Sequence, residues 1–311
     1  MNSSLEQLAE KLGHPQRRIR YQTVYELYML GQPDAISLLS SAIHDEDAEI
    51  RKLVAHLLRT KRTPASIAAL LDGLAHDKQA QVRRTCAESL AVLKESSAIE
   101  GLVTALQDRS KLVRRAAVKA LGTFSEPAVL PGLIGALLGD ADSYVRWEAA
   151  KNLEGFEDIS VVRALSEALS SDENSYVRYA SAVALGKILH PESLPALIQA
   201  LDDENSYVRF ATVRALGDFL QQSDPLNEDL VMLMLIALDD DNTHVWHLAA
   251  ENLWAVGETA ILIVLKAFHA PEKHIRHVAL KGLLWLSLEY DDPILDDIEL
   301  PNAPRTWGWW N

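Results

Sequence analysis

The chain has 311 residues, a formal net charge of −14 and 48% hydrophobic residues, enough for a sizeable core. No apolar run approaches the roughly 20 residues that a membrane span needs, and the opening MNSSLEQLAEKLGH has neither the basic start nor the apolar segment of a signal peptide. One cysteine, Cys86, excludes an internal disulfide framework and suits a reducing, cytoplasmic compartment.

The charge is unevenly placed. Residues 1–120 carry 18 Lys and Arg against 14 Asp and Glu, and residues 121–311 carry 12 against 30. So acidic a body disfavours non-specific nucleic-acid binding, which needs many cations facing phosphates. The asymmetry suits a basic or dipolar partner.

In chain order, one pattern recurs with a period of about 31 residues: NSYVRYASAVAL at 174–185, NSYVRFATVRAL at 205–216 and DSYVRWEAAKNL at 142–153 are three copies. With position 0 at the Arg of YVR, the anchors are Arg20, Arg51, Arg83, Arg114, Arg146, Arg178, Arg209, Trp246 and Arg276. Position −1 is Ile or Val and position +7 is Leu in all nine units, and position −6 is Asp in seven. Such a period signals a stacked repeat array.

Each unit predicts two helices. The first is short and apolar, as in LPGLIGALL at 130–138, with a proline at or near its start where the missing N–H costs little. A turn follows, in which Asp, Asn and Ser supply caps for the second helix. The second helix buries positions −1, +3, +4 and +7, a 3.6-residue stripe. Gly122, Gly186 and Gly217, all at +8, are expected to loosen or end that helix. Cys86 falls in the small, buried +3 column and is expected to be a core residue.

The columns D-x5-R, with Val or Ile before the Arg and Leu seven after it, resemble the HEAT repeat in its short, phycobilisome-lyase-like form. The resemblance covers about residues 5–290 and implies an all-α, right-handed solenoid of about nine HEAT-like helical hairpins. It also implies an Asp–Arg ladder between neighbouring repeats and a concave face lined by second helices. Because Trp246 takes the place of Arg in the eighth unit, Asp240 is expected to lack its partner. His14 and Ala270 replace the −6 Asp at the two ends, as terminal repeats often do. The segment QQSDPLNED at 221–229 is expected to be a longer turn within the array. Beyond residue 290 an acidic tail, 291–311, ends in Trp307, Trp309 and Trp310. These pack on the last repeat or form a docking peptide.

Positions −2, +1 and +5 of each second helix lie opposite the buried stripe. Read along the chain, they pass from basic and polar, with Lys52, Arg84 and Arg115, to aromatic, with Tyr144, Trp147, Tyr176, Tyr179, Tyr207 and Phe210. The last two units present His244, His247, His274 and His277. Aromatic residues at exposed positions suit a protein-binding surface, although the −2 tyrosines also suit packing between helices. The histidines form two i,i+3 pairs but no complete metal motif, so no metal is expected there.

The sequence has no phosphate-binding glycine loop, no G-x-S-x-G, no cysteine pair for zinc, and no His-Glu dipeptide of the HEAT-like di-iron hydroxylases. The expected function is therefore a protein-binding scaffold, adaptor or chaperone-like protein acting on another protein without a cofactor. The alternative implied by the resemblance is a phycobilin lyase subunit or carrier of an open-chain tetrapyrrole such as phycocyanobilin. No membrane association is expected.

Overall fold

The computed structural model describes residues 3–223 and 227–289. The turn expected at 221–229 is shorter, since Gln221 and Gln222 belong to helix Ser206–Gln222 and Glu228 and Asp229 to helix Glu228–Ala237, with 224–226 outside the described residues; the Trp-rich tail lies wholly outside them. Among the described residues there are eighteen α-helices and no strand. They pair in chain order as nine hairpins, the number expected from the anchors. The fold is an all-α solenoid. It divides into two compact units, Met1–Ala196 and Leu197–Asn311, with the boundary inside the short helix Leu194–Gln199.

The first unit holds six complete hairpins. Its second helices are Arg17–Leu30, Ala48–Leu58, Ala80–Leu93, Lys111–Leu121, Ser143–Leu153 and Ser175–Ile188. The buried stripe is the one the period predicts. Val145, Ala149, Ala150 and Leu153 are fully buried, and so are their counterparts Ile50, Val54, Ala55 and Leu58. Fully burying one such aliphatic side chain contributes about 1.5–3 kcal/mol. The +3 column stays small because second helices of successive repeats pack directly on one another. Cys86 belongs to this column and is fully buried.

The turn supplies the caps of the second helices, as expected, and the capping residue is the one at −4. Asp142, Asn174, Asn205 and Asn242 each accept the backbone N–H two residues on, at 2.9–3.1 Å. In turn the −6 Asp accepts the N–H of that capping residue, as Asp140 does from Asp142 at 2.7 Å. This leaves the −6 carboxylate free to serve the neighbouring repeat.

That service sets the register of the ladder. The Arg of one repeat grips the Asp of the next through two parallel bonds: Arg20 to Asp45, Arg51 to Asp77, Arg83 to Asp108, Arg114 to Asp140 and Arg146 to Asp172, at 2.6–3.1 Å. The remaining terminal nitrogen, Nη1, donates to the carbonyl at −6 of its own repeat, as Arg51 does to Asp45 at 2.8 Å.

In the second unit, Arg209 grips Asp240 at 2.7 and 2.9 Å. The expectation that Asp240 lacks a partner is therefore wrong. The ladder points forward along the chain, so Trp246 removes a partner from the following repeat, where Ala270 already replaces the Asp. His14 and Ala270 are tolerated at −6 because Arg20 and Arg276 need only their backbone carbonyls, each at 2.9 Å.

Of the +8 glycines, Gly122 is the C-cap that ends helix Lys111–Leu121, as expected, but the other two do not end their helices. Gly186 lies inside helix Ser175–Ile188, and Gly217 lies inside helix Ser206–Gln222. Gly122 has an ordinary right-handed φ of −65°. What Gly122 and Gly217 provide is space. A Cβ at Gly122 would sit 2.3 Å from Asn152 Oδ1, and one at Gly217 would sit 2.2 Å from Asn252 Nδ2. Each Asn comes from the next repeat and donates its amide to a carbonyl at +4 of the glycine's helix: Asn152 to Val118 at 2.8 Å and Asn252 to Val213 at 3.2 Å.

Candidate partner-binding surface

In the first unit, helix Ser143–Leu153 packs between Lys111–Leu121 and Ser175–Ile188. The displayed columns of these three helices bring together Arg115 and Lys119, then Tyr144, Trp147 and Lys151, then Tyr176 and Tyr179. Each column keeps one rotational phase, because the core stripe fixes every second helix in the same orientation.

The centre is an ordered cluster of rings and cations. Tyr144 and Trp147 are half-buried and meet at 5.4 Å between ring centroids, inclined by 51°. Arg115 lies over the Tyr144 ring at 4.8 Å, Lys119 over the same ring at 5.3 Å, and Lys151 over the Trp147 ring at 4.5 Å. These are cation–π distances. The Tyr144 hydroxyl donates to Glu148 at 3.2 Å. It also raises the Lys119 ammonium above its ordinary pKa, outweighing the cost of partial burial.

Arg115 is committed elsewhere as well. It holds Asp142 through two bonds of 2.9 and 2.8 Å. The pair raises the Arg115 guanidinium and holds the Asp142 carboxyl below the usual aspartate range, the shared hydrogen bonds being the main cause on both sides. Because Asp142 is also the N-cap, one carboxylate fixes both the helix start and the arginine.

The aromatics to the C-terminal side stand outward. Tyr176 is 72% exposed and Tyr179 is 36% exposed. Packing between helices is thus not the role of the −2 tyrosine at 176, whereas at Tyr144 the ring is half-covered by its cations. In the second unit the same two columns place Tyr207 at 74% exposure and Phe210 half-buried.

The basic residues expected to supply charge are each matched by an acid. Lys52 pairs with Glu49 at 2.9 Å and Arg84 with Glu88 at 2.7 Å, both on their own helices. The cations without such close pairing are Lys119 and Lys151. Lys119 makes no ion pair among the described residues, and Lys151 reaches Glu148 at 3.8 Å. Sequence reading placed both lysines on this face but did not single them out. Asp142 and Glu148 were missed as members of the cluster. Their signals were the capping position two residues before Tyr144 and the i,i+4 spacing after it.

His244, His247, His274 and His277 are exposed. Among the described residues, no three His, Cys, Asp or Glu side chains are arranged to hold a metal ion. The Cys86 thiol is pushed up to about 12 by burial, with Asp77 and Asp72 adding to the effect, which is the opposite of an activated nucleophile. No single helix among the described residues is long and apolar enough to cross a membrane.

The sequence pattern of HEAT repeats matches residues 5–91, 67–154 and 162–253. The chain is a HEAT-repeat protein. Among solved HEAT-like solenoids, it is similar to the karyopherin Kap121p bound to the extreme C-terminus of the protein phosphatase Cdc14p, with a TM-score of 0.62 and 14% identity over 95% of this chain and 39% of that one. It is also similar to Kap95p in complex with RanGDP, with a TM-score of 0.59 and 12% identity over 94% and 47% of the two chains. The Escherichia coli protein YIBA gives 0.51 and 23% identity over 81% and 92%. The HEAT-repeat chain thus spans less than half of either karyopherin, and at these identities the likeness is one of fold. No curated protein matches the sequence.

Proposed function

We propose that this HEAT-repeat protein is a scaffold or adaptor that binds another protein through the displayed columns of its second helices. The observation that carries the reading is the exposed pair Tyr176 and Tyr179 beside the half-buried Tyr144–Trp147 cluster, on helices whose inner faces are fully buried. Large aromatics that are already ordered lose little side-chain freedom on binding, which is why such residues recur as interface anchors. The two karyopherins give a supporting analogy, since each holds a protein partner on a solenoid of this fold.

The cluster suits a polypeptide better than an open-chain tetrapyrrole. A bilin would need open ring faces to stack on, but Arg115 and Lys119 lie over Tyr144 and Lys151 lies over Trp147, an arrangement that leaves the lysines facing a partner's carboxylates and no bare face for a planar chromophore.

The test is capture of partners from the source cells with the full chain and with a Trp147→Ala/Tyr179→Ala/Phe210→Ala variant, identified by mass spectrometry. Loss of specific partners in the variant, with its helical circular dichroism unchanged, is expected. An identical partner set would overturn the assignment of this face.

A further inference from the structure

The partner's chemistry can be narrowed from the charges around the rings. Arg115, Lys119 and Lys151 lie over the rings of the Tyr144–Trp147 cluster, and Lys111 adds positive potential that helps Arg115 depress the Asp142 carboxyl. The acids facing them are Asp142 and Glu148. Glu88, which also acts on Lys119, is engaged by Arg84 at 2.7 Å on its own helix. These four cations face two carboxylates, of which Asp142 is held by Arg115 and Glu148 lies 3.8 Å from Lys151, so positive charge is left over. This positive island sits in a chain of net charge −14.

The two lysines matter most. An exposed lysine normally samples many rotamers, and ordering it costs entropy. Here Lys119 and Lys151 rest on the rings of Tyr144 and Trp147, at 5.3 and 4.5 Å, while remaining exposed to solvent. The rings hold the ammonium groups in place without neutralising them, and the one nearby carboxylate, Glu148, stays 3.8 Å from Lys151, whereas a close carboxylate partner would do both. Tyr179 and Tyr176 then extend an apolar surface from the island along the same columns.

We propose that the partner segment docking here is an acidic peptide with interspersed apolar residues. Its carboxylates pair with Lys119 and Lys151, and its apolar side chains lie along Trp147 and Tyr179. The proposal rests on the reading of this face as a protein-docking surface and adds the sign and spacing of the partner's charge. Burying an ammonium between a ring and a carboxylate strengthens both contacts, because each is worth more once water is excluded.

The experiment is fluorescence anisotropy on the full chain with three probes: a short labelled peptide repeating Asp-Glu-Leu, its Lys-Lys-Leu counterpart, and a labelled single-stranded oligonucleotide of matching charge to the first. The acidic peptide is expected to bind, with affinity falling as salt rises. Lys119→Glu/Lys151→Glu should weaken it by about tenfold or more and create binding of the basic peptide. The lysines are exposed, so the double variant should keep its helical signal.

No binding of the acidic peptide, or binding unchanged by the charge reversal, overturns the proposal. Binding of the oligonucleotide equal to that of the peptide also overturns it, since the site would then read negative charge alone. If charge reversal has no effect but Trp147→Ala/Tyr179→Ala still abolishes partner capture, the docking face stands and only its acidic specificity falls. If neither variant changes capture, both readings fall.

Discussion

Arg83 holds Asp108 of the following repeat through Nε at 2.6 Å and Nη2 at 2.8 Å, while its Nη1 holds the Asp77 carbonyl of its own repeat at 2.8 Å. One guanidinium thus ties together a turn, the helix it caps and the next turn. The side chains are 6% and 12% exposed, so the pair is nearly dry. Removing one partner strands a charge. Asp108→Ala or Arg83→Ala is expected to cost about 3–5 kcal/mol in urea unfolding. Arg83→Met/Asp108→Leu, which removes both charges, should cost less than either single change, and a double cost equal to the sum of the singles would contradict the coupling.

The ladder also predicts acid sensitivity. Burial of Asp77, Asp108 and Asp240 opposes their ionisation, but the Arg hydrogen bonds and the capping N–H groups outweigh it, and all three lie below the usual aspartate range. A carboxylate with a depressed folded-state pKa contributes stability that is complete above its unfolded value, about 3.9. The contribution disappears as pH falls through the lower folded value. Urea midpoints should therefore hold between pH 7 and 5 as far as these groups are concerned, then drop steeply below about pH 4. An Asp108→Asn variant should show a shallower acid limb.

Gly122 and Asn152 form a second coupled pair. The backbone at Gly122 would accept any residue, so the barrier to a side chain is steric. Gly122→Ala should destabilise by about 1–3 kcal/mol through overpacking. Asn152→Ala, which loses the bond to Val118, should cost about 1 kcal/mol. Combining them should recover much of the glycine penalty, because alanine at 152 vacates the space. Thermal melts of the three variants test this, and simple additivity would refute it.

Cys86 should be inert. Fully buried and with its thiol raised to about 12, it is expected to resist a thiol-reactive dye at pH 8 in the folded protein and to react at once in denaturant. Gly73→Ala presses on the same site, since a Cβ there would lie 2.8 Å from the Cys86 sulfur. Loss of stability with exposure of the thiol is the expected result.

The repeat, the number of hairpins and the buried stripe were legible because they depend on local periodicity. A Leu at +7 in nine copies has one consistent explanation, a helix face turned to a shared core. Other features were not legible because they join residues in different repeats. The forward register of the ladder is one case: the pattern D-x5-R places both residues in one turn, and only packing shows that the side chains part company. The role of the +8 glycines is another, since Asn152 lies thirty residues beyond Gly122 in sequence and against it in space.

The surface shows the same division. The sequence by itself determined that this is an array of helical hairpins and that positions −2, +1 and +5 vary from basic to aromatic to histidine. Those facts follow from helical periodicity and composition. The tertiary structure decided which of the displayed charges remain available. Lys52, Arg84 and Arg115 meet carboxylates, whereas Lys119 and Lys151 lie mainly on rings. That outcome depends on rotamers, on distances between neighbouring helices and on the competition between a ring and a carboxylate for one cation, none of which a one-dimensional pattern contains.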